Sequence, residues 1–377
     1  MEIVELIWTN GLSFVFILSV IVFIHEMGHY LIARYCGVRI DVFSIGFGPE
    51  IYGWNDSTGT RWKISLLPLG GYVKMFGDAD ASSKPGEDVV EMSPQDKEIS
   101  FHHKHLGQRT AIVLGGPAAN FVLAAFILAI MFATVGQRIT PALISIVQPD
   151  GAAAEAGMIP GDRITAIDDT AIDRFEMVQR IVRGNVGEPL LFTVERDGAL
   201  VRMEIVPRLV DVIDGFGNKQ KYGQIGVGRK GVEFVRHDPL TAVWAAVEET
   251  ASLTMATLDA LGQIISGSRG TEDLGGPIRI AQVSGQVAED GLVTVFWFMA
   301  VLSINLGLIN LFPVPMLDGG HLLFFVYEAI RGKPLGERAQ EYGFRIGLAM
   351  VLSLMIFATW NDLVQLQVVD FFINLFS

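Results

Sequence analysis

The chain has 377 residues, 50% of them hydrophobic and 18% charged, with a formal net charge of −13. That balance excludes a general nucleic-acid binder, which carries a basic face. One cysteine, Cys36, excludes an intrachain disulfide framework and a cysteine-built zinc site, and a mean hydropathy of +0.42 is high for a soluble chain of this charge content.

The start, MEIVELIWTN, holds two glutamates and no basic residue, and no small-residue cleavage site follows it. The first apolar run, 11–34, is therefore expected to be a retained membrane helix and not a cleaved signal. It contains HEMGH. On a helix, His25 and His29 at i and i+4 share one face and both reach one ion. Glu26 neighbours that face and can take a proton from metal-activated water. Zinc suits imidazole ligands and lowers the pKa of its water to about 7.

Residues 38–76, VRIDVFSIGFGPEIYGW and RWKISLLPLGGYVKMFG, read as short strands with glycine turns. They form either a sheet at or dipping into the cytoplasmic membrane face or a small surface hairpin. Residues 77–100 are polar and rich in Ser, Pro and Asp, the composition of a flexible loop. His102, His103 and His105 follow, readable as a metal-binding cluster or as a solvated cytoplasmic flank. The second apolar run, 110–135, opens near GGPAAN.

Residues 139–209 alternate strand-like runs (ALISIVQ, DRITAID, LLFTVERD, VRMEIVPR) with Gly/Pro turns, and FEMVQRIV is a short helix. The stretch AAAEAGMIPGDRITAID resembles the PDZ family, with DDTAI where that family has an Asn-Gly turn. PDZ domains bind extended peptides by strand addition; a small β-domain without a ligand is the alternative. Residues 239–267 place Leu240, Val243, Trp244, Val247, Leu258, Leu261 and Ile265 at helical spacing among Glu248, Glu249 and Asp259. This reads as an amphipathic helix, packed on protein or lying at the interface. Further apolar runs occupy 293–313 and 343–360, making four of spanning length.

Lys and Arg concentrate in the loop before Arg109 and in the loop 331–345, and none follows Arg345. The positive-inside rule places both loops in the cytoplasm. Both termini and residues 136–292 then lie outside, provided 239–267 does not cross. Under this orientation Asp318, in NLFPVPMLDGGHLL, reaches the depth of His25 and His29, while His237 is on the wrong side. Zinc, Asp318 and a hydroxide sum to zero charge, which suits a low-dielectric site. Two histidines, a carboxylate and an open position make a catalytic zinc pattern. Pro313 and Pro315 break the third helix, and irregular backbone at membrane depth survives where it lines a wet cavity. His321, one turn after Asp318, reads as support for a metal ligand or as a polar helix end.

HEMGH in a first span, a GFGP strand, GGPAAN opening a second span, a PDZ-like segment and NLFPVPMLDGGH in a third span together resemble the site-2 protease family of intramembrane zinc metalloproteases. The resemblance covers nearly the whole chain and is strongest to the bacterial regulator of sigma-E protease group, whose best-known members carry two PDZ units where one is visible here. It implies one zinc on His25, His29 and Asp318, with Glu26 as general base. It implies a substrate-holding role for Asn310, Pro313, Pro315, Gly70 and Gly71, with helix–helix contact the alternative for Asn310. Asn120 matches the GPxxN element, structural or functional.

The expected fold is a polytopic α-helical membrane protein with four transmembrane helices, a membrane-associated β-sheet and an inserted extracytoplasmic β-rich PDZ-like domain. The expected divisions are 1–135, 139–209, 210–292 and 293–377. The resemblance further implies a bacterial inner-membrane location and the lipid bilayer as a partner. The implied substrates are single-span proteins already trimmed by another protease, such as anti-sigma factors or remnant signal peptides. A membrane metal transporter or sensor, and an inactive PDZ scaffold, are the rival readings; neither calls for a glutamate between the two histidines.

Overall fold

The structure, a computed structural model, describes residues 2–79, 92–213, 219–229, 231, 233–267, 270 and 275–365. It falls into two compact units, one drawn from Met1–Met131 and Pro239–Ser377 and the other from Phe132–Asp238.

The first unit begins with α1 (Glu2–Tyr35), an apolar helix with Arg34 in its last turn. Gly37 ends it in the left-handed region at φ +70°, and the Val38 N–H bonds back to the Ala33 carbonyl, the usual glycine stop of a helix. Two long strands follow, β1 (Ile40–Asn55) and β2 (Arg61–Met75). Both bend. Residues 61–64 pair with 42–45 on one side and 52–55 on the other, and 71–75 pair with 40–45. The bends need glycine. Gly46 sits at φ +88° with a Cβ position 2.7 Å from the Leu67 carbonyl oxygen, and Gly70 at φ +132° with one 2.4 Å from the Phe47 ring. Phe43 and Trp62 stack at 4.4 Å inside the hairpin. Ile51, Tyr52, Leu66 and Leu67 stay exposed.

The 77–100 loop is only partly as expected. Residues 80–91 lie outside the described residues, but α2 (Pro94–Ile99) is a helix capped by Ser93, and Asp78 and Ser100 are buried. The Asp78 carboxylate accepts the Met75 N–H at 2.9 Å and meets His102 Nε2 at 2.9 Å. Burial pushes this carboxyl above its ordinary pKa, against the pull of His102.

Next comes α3 (Leu106–Thr134), continuous through Pro117. It packs on α1 at glycines: a Cβ on Gly28 would lie 2.1 Å from the Gly115 carbonyl oxygen, and one on Gly115 2.7 Å from that of Gly28. Small residues let backbones approach in this way where no water is present to drive association.

The second unit carries β3 (Gln137–Ile139), β4 (Ile144–Val147), α4 (Ala152–Glu155), β5 (Arg163–Ile167), β6 (Thr170–Ala171), α5 (Phe175–Gly184), β7 (Leu190–Arg196), β8 (Ala199–Ile205), β9 (Arg208–Ile213), β10 (Lys219–Gln224), β11 (Val227–Arg229) and β12 (Glu233–Val235). A sheet of order β6-β5-β7-β8 is its centre. Phe192, Val194, Ile164 and Ile205 from the strands and Phe175, Val178 and Val182 from α5 share one core. Asp168 takes φ +50° in the DDT turn, a conformation Asp tolerates. The unit is wider than the expected 139–209, because β12 pairs with β3 and β11 with β4. These partners are too short and polar to stand out in sequence.

The remainder of the first unit is helical: α6 (Pro239–Ile265), α7 (Pro277–Glu289), α8 (Leu292–Asn310), α9 (Asp318–Arg331) and α10 (Glu337–Gln365). α6 buries Ala242, Ala245, Ala246 and Thr250. Of the two alternatives for its apolar stripe, packing on protein is not the one seen: Leu240, Val243, Trp244, Val247 and Ile265 are exposed. Asp362 of α10 caps α7, accepting the Gly276, Ile278 and Arg279 N–H groups at 2.8–3.1 Å; a carboxylate suits the positive end of a helix. Among the described residues, four helical stretches are long and apolar enough to cross a membrane: Asn10–Tyr35, Leu106–Thr134, Leu292–Asn310 and Arg338–Val364. The chain is an integral membrane protein.

Candidate metal centre

α1 continues unbroken through HEMGH, so His25 and His29 project from one face one turn apart. Both are buried, and their Nε2 atoms lie 3.2 Å apart. Asp318 arrives from the far end of the sequence. It is not at the end of the third apolar helix, as expected, but at the first position of α9, after the loop 311–317. That loop folds tightly. Phe312 O accepts the Val314 N–H at 2.7 Å, Val314 O accepts the Leu317 N–H at 3.0 Å, and Met316 is held at φ +99°. Gly319 and Gly320 allow the loop to lie on α9, since a Cβ on either would meet loop backbone within 2.6 Å.

Asp318 Oδ2 is 3.2 Å from His25 Nε2 and Oδ1 is 3.5 Å from His29 Nε2. Among the described residues, these three form the one cluster of His, Cys, Asp or Glu with metal-ligand spacing. A tetrahedral ion with bonds of ~2.0–2.1 Å has ligand–ligand edges of ~3.3–3.4 Å; the 3.2 Å between the two Nε2 atoms is close to one such edge, and Asp318 presents a different oxygen to each histidine, with one ligand atom from each of the three residues within 4.8 Å of the others. Asp318 Oδ2 is buried without a hydrogen bond, a costly state for a carboxylate oxygen unless a cation meets it. The imidazole of His29 donates from Nδ1 to the Ile112 carbonyl at 2.9 Å, which leaves Nε2 with its lone pair toward Asp318. Gly116 completes the cradle: a Cβ there would sit 2.2 Å from His29 Nε2 and 2.8 Å from His25 Nε2. Donor set, spacing and orphaned oxygen fit a divalent ion that takes nitrogen and oxygen ligands.

The cluster faces a cavity of about 810 Å³ whose wall includes Glu26, Gly70, Gly71, Asn310 and His321. Glu26 abuts β2 at Gly71, where a Cβ would lie 3.0 Å from Glu26 Cγ and 2.8 Å from the Ser44 carbonyl oxygen. The strand therefore runs directly over the glutamate. Pro313 and Pro315 are not on the wall; they shape the loop that presents Asp318, and the Pro315 carbonyl is packed against Gly347 of α10. The reading of His102 as a solvated flank is corrected by its pairing with Asp78, and His103 meets Ser100 Oγ at 3.2 Å. Gly116 and the α10 residues Phe344, Leu348 and Val351 on the wall were not singled out in the sequence. The doubled glycine before Pro117 was the available signal for the first; the α10 residues resemble any apolar span.

Residues 13–354 match Peptidase family M50. A relative from Agrobacterium fabrum that carries the name of a zinc metalloprotease is 46% identical over 358 residues, 94% of this chain and 95% of its own. Metalloprotease MmpA of Caulobacter vibrioides is 36% identical over 389 aligned positions, 97% and 98% of the two chains. The solved PDZ domain of an SdrC-like protein from Listeria innocua is 20% identical and covers 25% of this chain and 98% of its own, at a TM-score of 0.20, too low to carry an argument. With a match through the apolar helices, the histidine pair and the Asp318 segment alike, the chain belongs to Peptidase family M50.

Proposed function

We propose that this protein is an intramembrane zinc metalloprotease that hydrolyses peptide bonds within or near the spanning segments of single-span membrane proteins. The observation that carries the reading is the meeting of His25, His29 and Asp318 on a cavity whose wall also holds Glu26. These three residues would hold one zinc ion, which when bound supplies a Lewis acid that polarises a carbonyl and acidifies water. Glu26 takes the proton of the attacking water and returns it to the leaving amine as the C–N bond breaks. A spanning helix must unwind before attack, because its peptide groups are bonded internally. The 71–75 stretch of β2 pairs on one side with β1 and borders the cavity on the other, so the Gly70–Tyr72 end of that edge, ahead of the Met75 N–H that Asp78 accepts, can hold an unwound substrate by strand addition. Gly70 and Gly71 keep that edge close to Glu26, and the Asn310 amide offers a further main-chain partner.

In this reading the exposed apolar face of the β1–β2 hairpin and the outward stripe of α6 rest against lipid. Both termini and the second unit lie on the periplasmic side of a bacterial inner membrane. The second unit acts as a PDZ-like filter that admits substrates already trimmed by another protease, such as anti-sigma factors or remnant signal peptides. The test is cleavage of a tagged single-span substrate coexpressed with the wild type or with Glu26→Gln, with zinc quantified in both purified proteins. Cleavage by the wild type alone, with about one zinc in each, is expected. Cleavage by Glu26→Gln at the wild-type rate would remove Glu26 from the mechanism, and zinc-free active wild type would remove the metal.

A further inference from the structure

The two imidazoles of the cluster are held differently at their outer nitrogens. His29 Nδ1 donates to a main-chain carbonyl, which has only lone pairs to offer. His25 Nδ1 instead lies 3.1 Å from the side-chain amide of Asn120, drawn with its NH2 group toward the ring. Drawn that way, Nδ1 is an acceptor and the ring proton sits on Nε2, between His29 Nε2 and Asp318 Oδ2. A protonated Nε2 cannot be a metal ligand. The carbonyl of the same amide, Asn120 Oδ1, is buried without a partner. A half-turn of the side-chain amide exchanges its nitrogen and oxygen. The chemistry of the ring chooses between the two orientations. With Oδ1 inward, His25 donates from Nδ1 as His29 does, and both Nε2 lone pairs converge on Asp318.

We propose that Asn120 is a positioning residue for the metal centre. Its side-chain carbonyl accepts the Nδ1 proton of His25, fixing the tautomer and the ring plane of that ligand. The inference rests on the metal-site reading above. The side chain is well placed for the task. Asn120 is fully buried, its main-chain carbonyl accepts the Ser303 hydroxyl of α8 at 2.9 Å, and its Cβ packs against Gly307, where an added Cβ would lie 3.2 Å away. Two helices thus fix the amide before any ion arrives. Partners of this kind are worth about 10–100-fold in metal affinity.

Purified full-length wild type, Asn120→Asp and Asn120→Leu, all in detergent, should be compared for zinc affinity by competition with a chelator. A carboxylate presents oxygen in either orientation and cannot donate, whereas leucine has neither group. The expected result is a loss of tenfold or more for Asn120→Leu, and for Asn120→Asp an affinity within about threefold of the wild type or tighter. A loss in Asn120→Asp equal to that in Asn120→Leu would overturn the proposal, since the contact would then need the amide N–H. Wild-type affinity in Asn120→Leu would overturn it equally. Should the leucine variant fail to fold, the aspartate variant decides alone: retention supports the carbonyl role and loss rejects it. Failure of the wild type itself to bind zinc is a separate outcome that refutes the metal reading and this proposal with it.

Discussion

Gly116→Ala puts the geometry of the cradle to a direct test. The added methyl would lie 2.2 Å from His29 Nε2, about 1.2 Å inside the 3.4 Å at which ordinary contact begins. It would also lie 2.8 Å from His25 Nε2. The imidazole of His29 cannot simply withdraw, because its Nδ1 is tied at 2.9 Å to the carbonyl of Ile112, one turn before Gly116 in α3. Metal sites hold their ligand distances to about ±0.2 Å, so a displacement near 1 Å removes His29 as a ligand. The expected loss of zinc affinity is about 100-fold, or roughly 3 kcal/mol, with cleavage falling in step. Gly107→Ala is the matched control: it lies in the same helix with nothing within 4 Å of its Cβ position, and should leave zinc binding unchanged. Chelator competition on both proteins reads the difference. Wild-type zinc affinity and cleavage in Gly116→Ala would refute the cradle.

Three further predictions concern the support of this centre and the second unit. Arg109→Met strands Glu328, whose carboxylate meets Arg109 Nη2 at 2.5 Å between α3 and α9 with both side chains less than a fifth exposed; the cost is about 3–5 kcal/mol, seen as a lower melting temperature that Arg109→Met with Glu328→Met largely restores, and an unchanged single variant would refute it. In the second unit, Arg196 Nε and Nη2 donate to the two oxygens of Asp162 at 2.6 and 2.7 Å; burial raises the Asp162 pKa, but the Arg196 pairing prevails and holds it below the usual carboxylate range. Because the folded-state value is the lower one, this stabilisation is full above the unfolded pKa of about 3.9 and is lost as pH falls through the folded value. Asp162→Asn should therefore melt several degrees lower at pH 7 and show a weaker acid dependence, and equal melting at pH 7 would contradict it. Finally, β3 and β12 pair along Gln137–Val235 to Ile139–Glu233, so the segment between them can be replaced by a short turn. The shortened protein should cleave an untrimmed substrate that the full chain rejects; unchanged discrimination would refute the filter.

Much of this architecture was legible because it rests on local pattern. The apolar runs are long enough to announce themselves, and HEMGH needs only the pitch of one helix to place two imidazoles together. Asp318 could be matched to them through helix direction and charge balance. The strands of the second unit showed alternation and Asp-Gly or Gly-Asp turns. Three things were hidden. The fold of the β1–β2 hairpin onto itself depends on which bend glycines meet which side chains, as Gly70 meets Phe47. Which of the two placements of the α6 stripe holds depends on what else is available to pack, here Ala242, Ala245 and Ala246. The burial of Asp78 and Ser100 within a stretch of loop composition depends on His102 and the Met75 N–H from neighbouring segments.

The least legible feature bears most directly on the chemistry. Gly28 stands inside HEMGH at a position the motif leaves free, yet it is where α1 touches the Gly115 carbonyl of α3. A larger residue at 28 would hold the helices apart and carry the histidines away from Ile112, Gly116 and Asn120 together. The same approach that brings Nδ1 of His29 to Ile112 and Nδ1 of His25 to Asn120 also closes that side of the rings to lipid and water. What remains open is the Nε2 side, where Asp318 and the cavity lie. Buried polar groups call for hydrogen-bond partners. At this site the helix–helix contact supplies them on one side, and the other is left for an ion and a substrate.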